Sequence, residues 1–296
     1  MLQGAYTALI TPFRDGSVDV DRLQANVAFQ IEQGIDGVVP VGTTGESPTL
    51  SHEEHMQVIE AAVQAAAGRI KVIAGTGSNA TSEAVALTKH AADVGADAAL
   101  MVNPYYNKPT QDGLYHHFMT VADAVALPIV LYNIPGRTSI TMQPATVARL
   151  AEHENIVAIK EATGSMDIAS EIATLTNPER FAIVSGDDSL TLPLMSLGGK
   201  GVISVLSNLM PAKIKALVDA GLSGDFEQAR TLHLELFGLC KGMLTLSTNP
   251  IPIKAAMALA GLDTGELRLP LYPLDDASTA KLEKLLSDAG VLPVTA

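Results

Sequence analysis

Eight short apolar runs, rich in β-branched residues, recur through the first two thirds of the chain. They are Ala5–Ile10, Asp36–Val41, Ile70–Ala74, Asp97–Val102, Pro128–Tyr132, Ile156–Lys160, Phe181–Ser185 and Gly201–Val205. Continuous apolar runs of this length read as strands buried on both faces. Their ends lie about 20 to 33 residues apart, the length of one βα unit. Most of the intervening segments read as helices. Ser51 and Glu54 form a capping box ahead of Met56–Ala67, and Ser82–Ala92 and Gly113–Ala126 have helical periodicity. Ala145–Ala151 and Ile168–Leu175 are shorter helical segments. Eight alternations predict a (β/α)8 TIM barrel. A doubly wound open sheet uses the same alternation, but units of similar length favour closure.

After Val205 the strand pattern stops. Pro211–Ala220, Asp225–Leu246, Ile253–Leu259 and Asp275–Asp288 read as helices, with Pro250 and Pro252 marking a break. The expected organisation is a barrel over residues 1–224 and a C-terminal helical extension over residues 225–296. With 47% hydrophobic residues in 296, the chain can bury a full core. Only 17% are charged, which excludes a disordered, solvating chain. Lys and Arg number 19 against 32 Asp and Glu, a net charge of −13, so no nucleic acid partner is expected. Cys240 is the single cysteine, which excludes a disulfide framework within one chain and suits a reducing compartment. The first residues have no basic, apolar signal pattern, and no apolar run reaches about 18 residues. The expectation is a soluble cytoplasmic protein without membrane attachment.

Barrel chemistry sits at the C-terminal ends of strands and in the loops that follow. Four such ends are rich in polar residues: Gly42-Thr43-Thr44-Gly45-Glu46-Ser47, Asn103-Pro104-Tyr105-Tyr106-Asn107-Lys108-Pro109, Tyr132-Asn133-Ile134-Pro135-Gly136-Arg137-Thr138 and Lys160-Glu161-Ala162-Thr163-Gly164. Lys160 follows Ile156-Val157-Ala158-Ile159, so its amine should lie near a partly apolar interior. Burial disfavours the ammonium form and frees an amine to attack a carbonyl. A lysine snorkelling to the rim fits the same spacing. Tyr132, one strand earlier, could shuttle protons to a bound carbonyl or be a core tyrosine. Thr43 and Thr44, flanked by glycines, suit a carboxylate or a simple turn. Arg137, after a Pro-Gly turn, suits a bidentate carboxylate clamp or an ordinary surface position.

Together these four motifs resemble the dihydrodipicolinate synthase family of pyruvate-dependent class I aldolases. The resemblance runs from Gly4-Ala5-Tyr6-Thr7-Ala8-Leu9-Ile10-Thr11-Pro12 to Ser185-Gly186-Asp187-Asp188 and Gly201-Val202-Ile203-Ser204. It implies that Lys160 forms a Schiff base with pyruvate and that the resulting enamine adds to L-aspartate 4-semialdehyde. Tyr132 would move the protons, with Thr43 and Tyr106 as relay partners and Tyr106 supplied by a neighbouring subunit. Thr44 would bind the pyruvate carboxylate, Ile203 would offer its carbonyl beside the adduct, and Gly186 would lie in the same substrate site. Arg137 would hold the semialdehyde carboxylate. No metal or organic cofactor is implied. The assembly implied is a homotetramer built from two tight dimers.

Members of the family are often inhibited by L-lysine at the tight dimer interface. The matching positions are Ser47, Pro48, His52, His55, Asn79, Glu83 and Tyr105, with Glu83 suited to the ligand's ammonium group. Pro48 departs from the alanine of lysine-sensitive enterobacterial members. The bland alternative is a polar dimer interface.

Rival readings are weaker. Gly75-Thr76-Gly77-Ser78-Asn79-Ala80 fits a loose dinucleotide-binding pattern, but it lies on the third strand and lacks the following acidic residue. His52-Glu53-Glu54-His55 spaces its histidines i, i+3 rather than the i, i+4 of a zinc protease. His116 and His117 are adjacent and diverge on a helix. Asp187 and Asp188 are expected to be structural, and Cys240 a packing residue. N-acetylneuraminate and keto-deoxy sugar acid lyases share the lysine and tyrosine, but their polyol substrates do not call for Arg137. A non-catalytic binding barrel would be expected to have lost Lys160 or a relay hydroxyl.

Overall fold

The computed structural model describes residues 2–292, so the last four residues of the expected extension lie outside the described residues. Eight parallel strands close into a barrel: β1 (Gly4–Ala8), β2 (Gly37–Val39), β3 (Lys71–Gly75), β4 (Ala98–Val102), β5 (Ile129–Asn133), β6 (Ile156–Glu161), β7 (Ala182–Ser185) and β8 (Gly201–Ser204). Pairing of β8 back onto β1, from Gly4↔Gly201 to Thr7↔Ser204, distinguishes the barrel from an open sheet. β2 is shorter than the run Asp36–Val41 because the chain turns sharply at Val41, where φ is +50°.

Successive strand residues face opposite sides. Ile129 and Leu131 of β5 pack outward among the helices, whereas Val130 and Tyr132 point into the barrel. On β6, Ala158 faces inward and Ile159 outward. The same alternation carries Lys160 inward, and register pairs it with Tyr132. The two residues singled out at adjacent strand ends therefore enter the same interior layer.

The helices are α1 (Val20–Glu32), α2 (His52–Ala66), α3 (Thr81–Asp93), α4 (Gln111–Ala124), the single turn α5 (Pro135–Thr138), α6 (Pro144–Leu150), α7 (Met166–Leu175), α8 (Thr191–Met195), α9 (Pro211–Ser223), α10 (Phe226–Thr245), α11 (Ile251–Leu259) and α12 (Asp276–Asp288). The Ser51–Glu54 capping box is present in both directions, at 3.2 and 3.0 Å. Helix α1 is not apparent from periodicity, because its buried face mixes Leu23 and Val27 with Asn26 and Gln30. Gln30 is used internally: Thr7 Oγ1 donates to Gln30 Oε1 at 2.6 Å, and Gln30 Nε2 donates to the Ser207 carbonyl at 2.9 Å. A small hairpin, Phe13–Arg14 with Ser17–Val18, precedes α1.

The tail helices share a core with the barrel. Leu236, Leu239, Cys240, Met243, Ile253, Met257, Leu282 and Leu286 pack with Ala5, Ile10, Val202 and Val205. Full burial of a leucine such as Leu282 or Leu286 contributes about 1.5–3 kcal/mol. Among the described residues, no helix is long and apolar enough to cross a membrane.

Candidate active site

The turn after β2 is under backbone strain at both ends. Val41 and Glu46 have φ of +50° and +54°, left-handed values that side chains with a Cβ rarely adopt. Between them lie Gly42, Thr43, Thr44 and Gly45. A Cβ on Gly75 of β3 would come within 2.4 Å of the Val41 carbonyl oxygen, so glycine there is what lets the turn sit against the third strand. Thr44 is buried, and its hydroxyl oxygen accepts from Asn249 Nδ2 at 2.9 Å. That leaves the Thr44 hydroxyl proton free to donate to an incoming carboxylate.

Lys160 and Tyr132 are each only 5% exposed, and Lys160 Nζ lies 4.3 Å from the centre of the Tyr132 ring. No carboxylate pairs with Lys160 among the described residues. Its neighbour Glu161 points the other way, accepting from the Thr163 N–H at 2.6 Å. Burial pushes the Glu161 carboxyl above its ordinary range, and its Oε2 has no partner. Gly186 lies against the lysine stem: a Cβ there would be 2.9 Å from Lys160 Cε. Its visible contribution is space for the lysine. Ile203 is fully buried in the inner layer.

Arg137 lies on α5, and its Nη2 donates to the Asn249 carbonyl at 2.9 Å. A cleft of about 220 Å³ opens above the barrel, and Thr43, Tyr132, Arg137, Ser47, Pro48 and Tyr105 are part of its wall. Its size suits a small acid better than a nucleotide, since drug-sized pockets run from about 300 Å³ upward. Tyr106 stands apart from this set within one chain: it is 90% exposed, with φ of +73°.

The residues suggested for an effector also cluster. The Glu83 carboxylate receives Ser78 Oγ and lies 2.5 Å from His52 Nε2. The Ser78 bond first, and His52 with it, holds Glu83 below its usual range. His55 is buried and donates from Nε2 to the Gly75 carbonyl at 2.8 Å, and burial keeps it below the ordinary histidine value. His52 and His55 thus have different partners. Asn79 donates to the Tyr105 carbonyl at 3.1 Å, and Tyr105 is pushed up by burial and by Glu83.

Asp188 is structural: its Oδ2 accepts from the N–H groups of Val205 and Leu206 at 3.0 and 3.1 Å, joining the β7 loop to the end of β8. Burial raises its carboxyl above the ordinary range. Asp187 caps the following turn through Ser189. Cys240 packs in the tail core.

Two positions that contact the candidate site residues or their turn escape a reading of strand ends. Asn249 joins Thr44 to Arg137. Lys254, fully buried on α11, lies 2.7 Å from the Glu46 carboxylate. The available signal for Lys254 is a single charge inside the apolar segment Ile251–Leu259.

The model of the dihydrodipicolinate synthetase family matches residues 1–289. The 4-hydroxy-tetrahydrodipicolinate synthase of Pelobacter propionicus is 53% identical over 292 residues, which cover 99% of this chain and 100% of that protein. The crystal structure of chloride-inhibited dihydrodipicolinate synthase from Acinetobacter baumannii, complexed with pyruvate, is 46% identical, with a TM-score of 0.95 and coverage of 99% of this chain and 100% of that one. The enzyme from Cyanidioschyzon merolae with lysine bound is 42% identical, with a TM-score of 0.94 and coverage of 98% and 99%. With its closed barrel and its match over nearly the whole length, the chain belongs to the dihydrodipicolinate synthetase family.

Proposed function

We propose that the chain condenses pyruvate with L-aspartate 4-semialdehyde, through a Schiff base on Lys160, to make 4-hydroxy-tetrahydrodipicolinate on the diaminopimelate route to lysine. The observation that carries this reading is a buried lysine without a counter-ion, its Nζ 4.3 Å from the Tyr132 ring centre, behind a small cleft walled by Thr43 and Arg137. The relative crystallised with pyruvate supports the first substrate.

The Lys160 amine attacks C2 of pyruvate, and the carbonyl oxygen leaves as water. Loss of a C3 proton turns the imine into an enamine. Its C3 forms a bond to the aldehyde carbon of the second substrate, whose oxygen takes a proton. The amino group of that substrate then attacks the imine carbon, closing the ring and releasing the Lys160 amine. Overall, two substrates yield one product and one water. Tyr132 is the proton carrier, with Thr43 and a second copy's Tyr106 as relay, and the 90% exposure of Tyr106 supports its use by a neighbour. Thr44 holds the pyruvate carboxylate, beside the Ile203 carbonyl and the space left by Gly186. Arg137 clamps the second carboxylate. No metal or organic cofactor is needed for these steps.

L-lysine would bind where Ser47, Pro48, His52, His55, Asn79, Glu83 and Tyr105 gather, its ammonium group on Glu83. The lysine-bound relative supports this assignment. The functional form would be a tetramer of two tight dimers in the cytoplasm. The test is acceptor choice. Turnover of pyruvate with aspartate semialdehyde should exceed that with N-acetylmannosamine or a sugar aldehyde on the order of 10³-fold. Preference for a sugar aldehyde would assign the chain to sugar acid cleavage.

A further inference from the structure

We propose that Lys254 is a positioning residue: by gripping Glu46 from the tail, it fixes the turn that presents Thr43 and Thr44 to the substrate. The inference rests on the assignment of that turn to pyruvate. Lys254 Nζ donates to Glu46 Oε1 at 2.7 Å and to the Thr11 carbonyl at 2.9 Å, and it lies 4.3 Å from the centre of the Phe13 ring. Both members of the pair have fully buried side chains. The other Glu46 oxygen accepts from the Arg268 N–H at 3.1 Å. Arg268 in turn spans Glu54 at 2.6 and 2.7 Å and donates to the carbonyls of Thr49 and Gly16.

The grip falls where it is mechanically needed. Left-handed residues persist only where their surroundings over-determine them. Glu46 is such a residue, two positions beyond Thr44, and Val41 is the other, two positions before Thr43. The turn's own bonds are few: Gly45 N–H and Ser47 N–H to the Gly42 carbonyl at 3.1 and 3.4 Å and Glu46 N–H to the Thr43 carbonyl at 3.2 Å, with Thr11 Oγ1 donating from outside to the Gly45 carbonyl at 2.6 Å. Lys254 is carried on α11, which begins just after Asn249, the donor to Thr44 Oγ1. One tail segment therefore holds the turn at both Thr44 and Glu46. Release of the Glu46 end should let the threonines drift, and a displacement of about 1 Å can cost on the order of 10²-fold in reactivity.

The deciding variant is Lys254→Met with Glu46→Gln. It removes the pair together, and the new amide retains an acceptor for the Arg268 N–H, so no isolated charge is left buried. Lys254→Gln, which keeps donors for Glu46 and Thr11 while removing the charge, is a second variant should the first fail to fold. Two quantities are read on folded protein: the pyruvate concentration that half-saturates borohydride trapping at Lys160, and the KM for the aldehyde. The pyruvate value should rise about 10-fold or more in the double variant and less in Lys254→Gln, with the aldehyde KM within about 2-fold of wild type. Folded variants that trap pyruvate at the wild-type concentration would leave Lys254 with a purely structural role and overturn the proposal. No adduct in the wild-type protein would overturn the aldolase assignment and this proposal together, so the two failures are distinguishable.

Discussion

Lys160 and Lys254 are two buried lysines placed in opposite ways. Each puts its Nζ 4.3 Å from the centre of an aromatic ring, Tyr132 for one and Phe13 for the other. Lys254 is locked by a carboxylate and a backbone carbonyl. Burial pulls its amine below the ordinary value, and Glu46 pulls it back up. Lys160 has no carboxylate partner among the described residues, and it packs against Tyr132, which forms part of the cleft wall. Burial alone therefore does not mark a nucleophile. What distinguishes Lys160 is the absence of a fixed counter-charge together with its place against Tyr132 at the cleft. In the proposed mechanism the paired lysine holds the site in shape, and the unpaired one does the chemistry.

The contrast is broken most severely by exchanging the roles through substitution. Lys160→Met should lower turnover on the order of 10⁴-fold or more, the scale of losing a covalent nucleophile. It should not lower unfolding free energy, because an unpaired amine is replaced by an apolar chain of similar length. Lys254→Met should do the reverse in stability, costing about 3–5 kcal/mol, because Glu46 is left buried and unpaired. Urea unfolding of both variants checks the pair. Equal stability losses would show that the two lysines are equivalent structural elements.

A third buried base sharpens the comparison at smaller scale. His117 is 6% exposed, its Nδ1 lies 2.9 Å from Thr81 Oγ1, and its Nε2 has no partner. Burial pushes its pKa down to about 4. Its folded value is below its unfolded value of about 6.5, so the unfolded chain binds the extra proton first. Stability from this group is present above about pH 6.5 and is lost as pH falls toward about 4, by roughly 3 kcal/mol in all. His55 is lowered by burial and loses stability in the same direction. His117→Gln should flatten the decline in unfolding free energy between about pH 6.5 and 4. An unchanged slope would assign the acid sensitivity to other groups.

The barrel is legible because strands buried on both faces leave uninterrupted apolar runs, such as Ile129–Leu131 on β5. Lys160 and Tyr132 are legible because each closes an apolar strand run, where barrel chemistry sits, while the direction of their side chains comes from the structure's alternation. Helix α1 is hidden because Asn26 and Gln30 occupy its buried face and interrupt the apolar stripe. Asn249 and Lys254 are hidden for another reason. Their partners Thr44 and Glu46 lie 205 and 208 residues away in sequence, and local patterning carries no trace of such contacts. Tyr106 can be named from its motif, but its own chain leaves it in solvent, so its proposed place in a site would need a second copy.

The most direct measurement is borohydride reduction in the presence of pyruvate, followed by peptide mass spectrometry of the intact folded protein. The asymmetry between the two lysines predicts a single reduced pyruvyl adduct on Lys160, lost in Lys160→Met, with Lys254 unmodified. An adduct on Lys254, or none on either lysine, would contradict it.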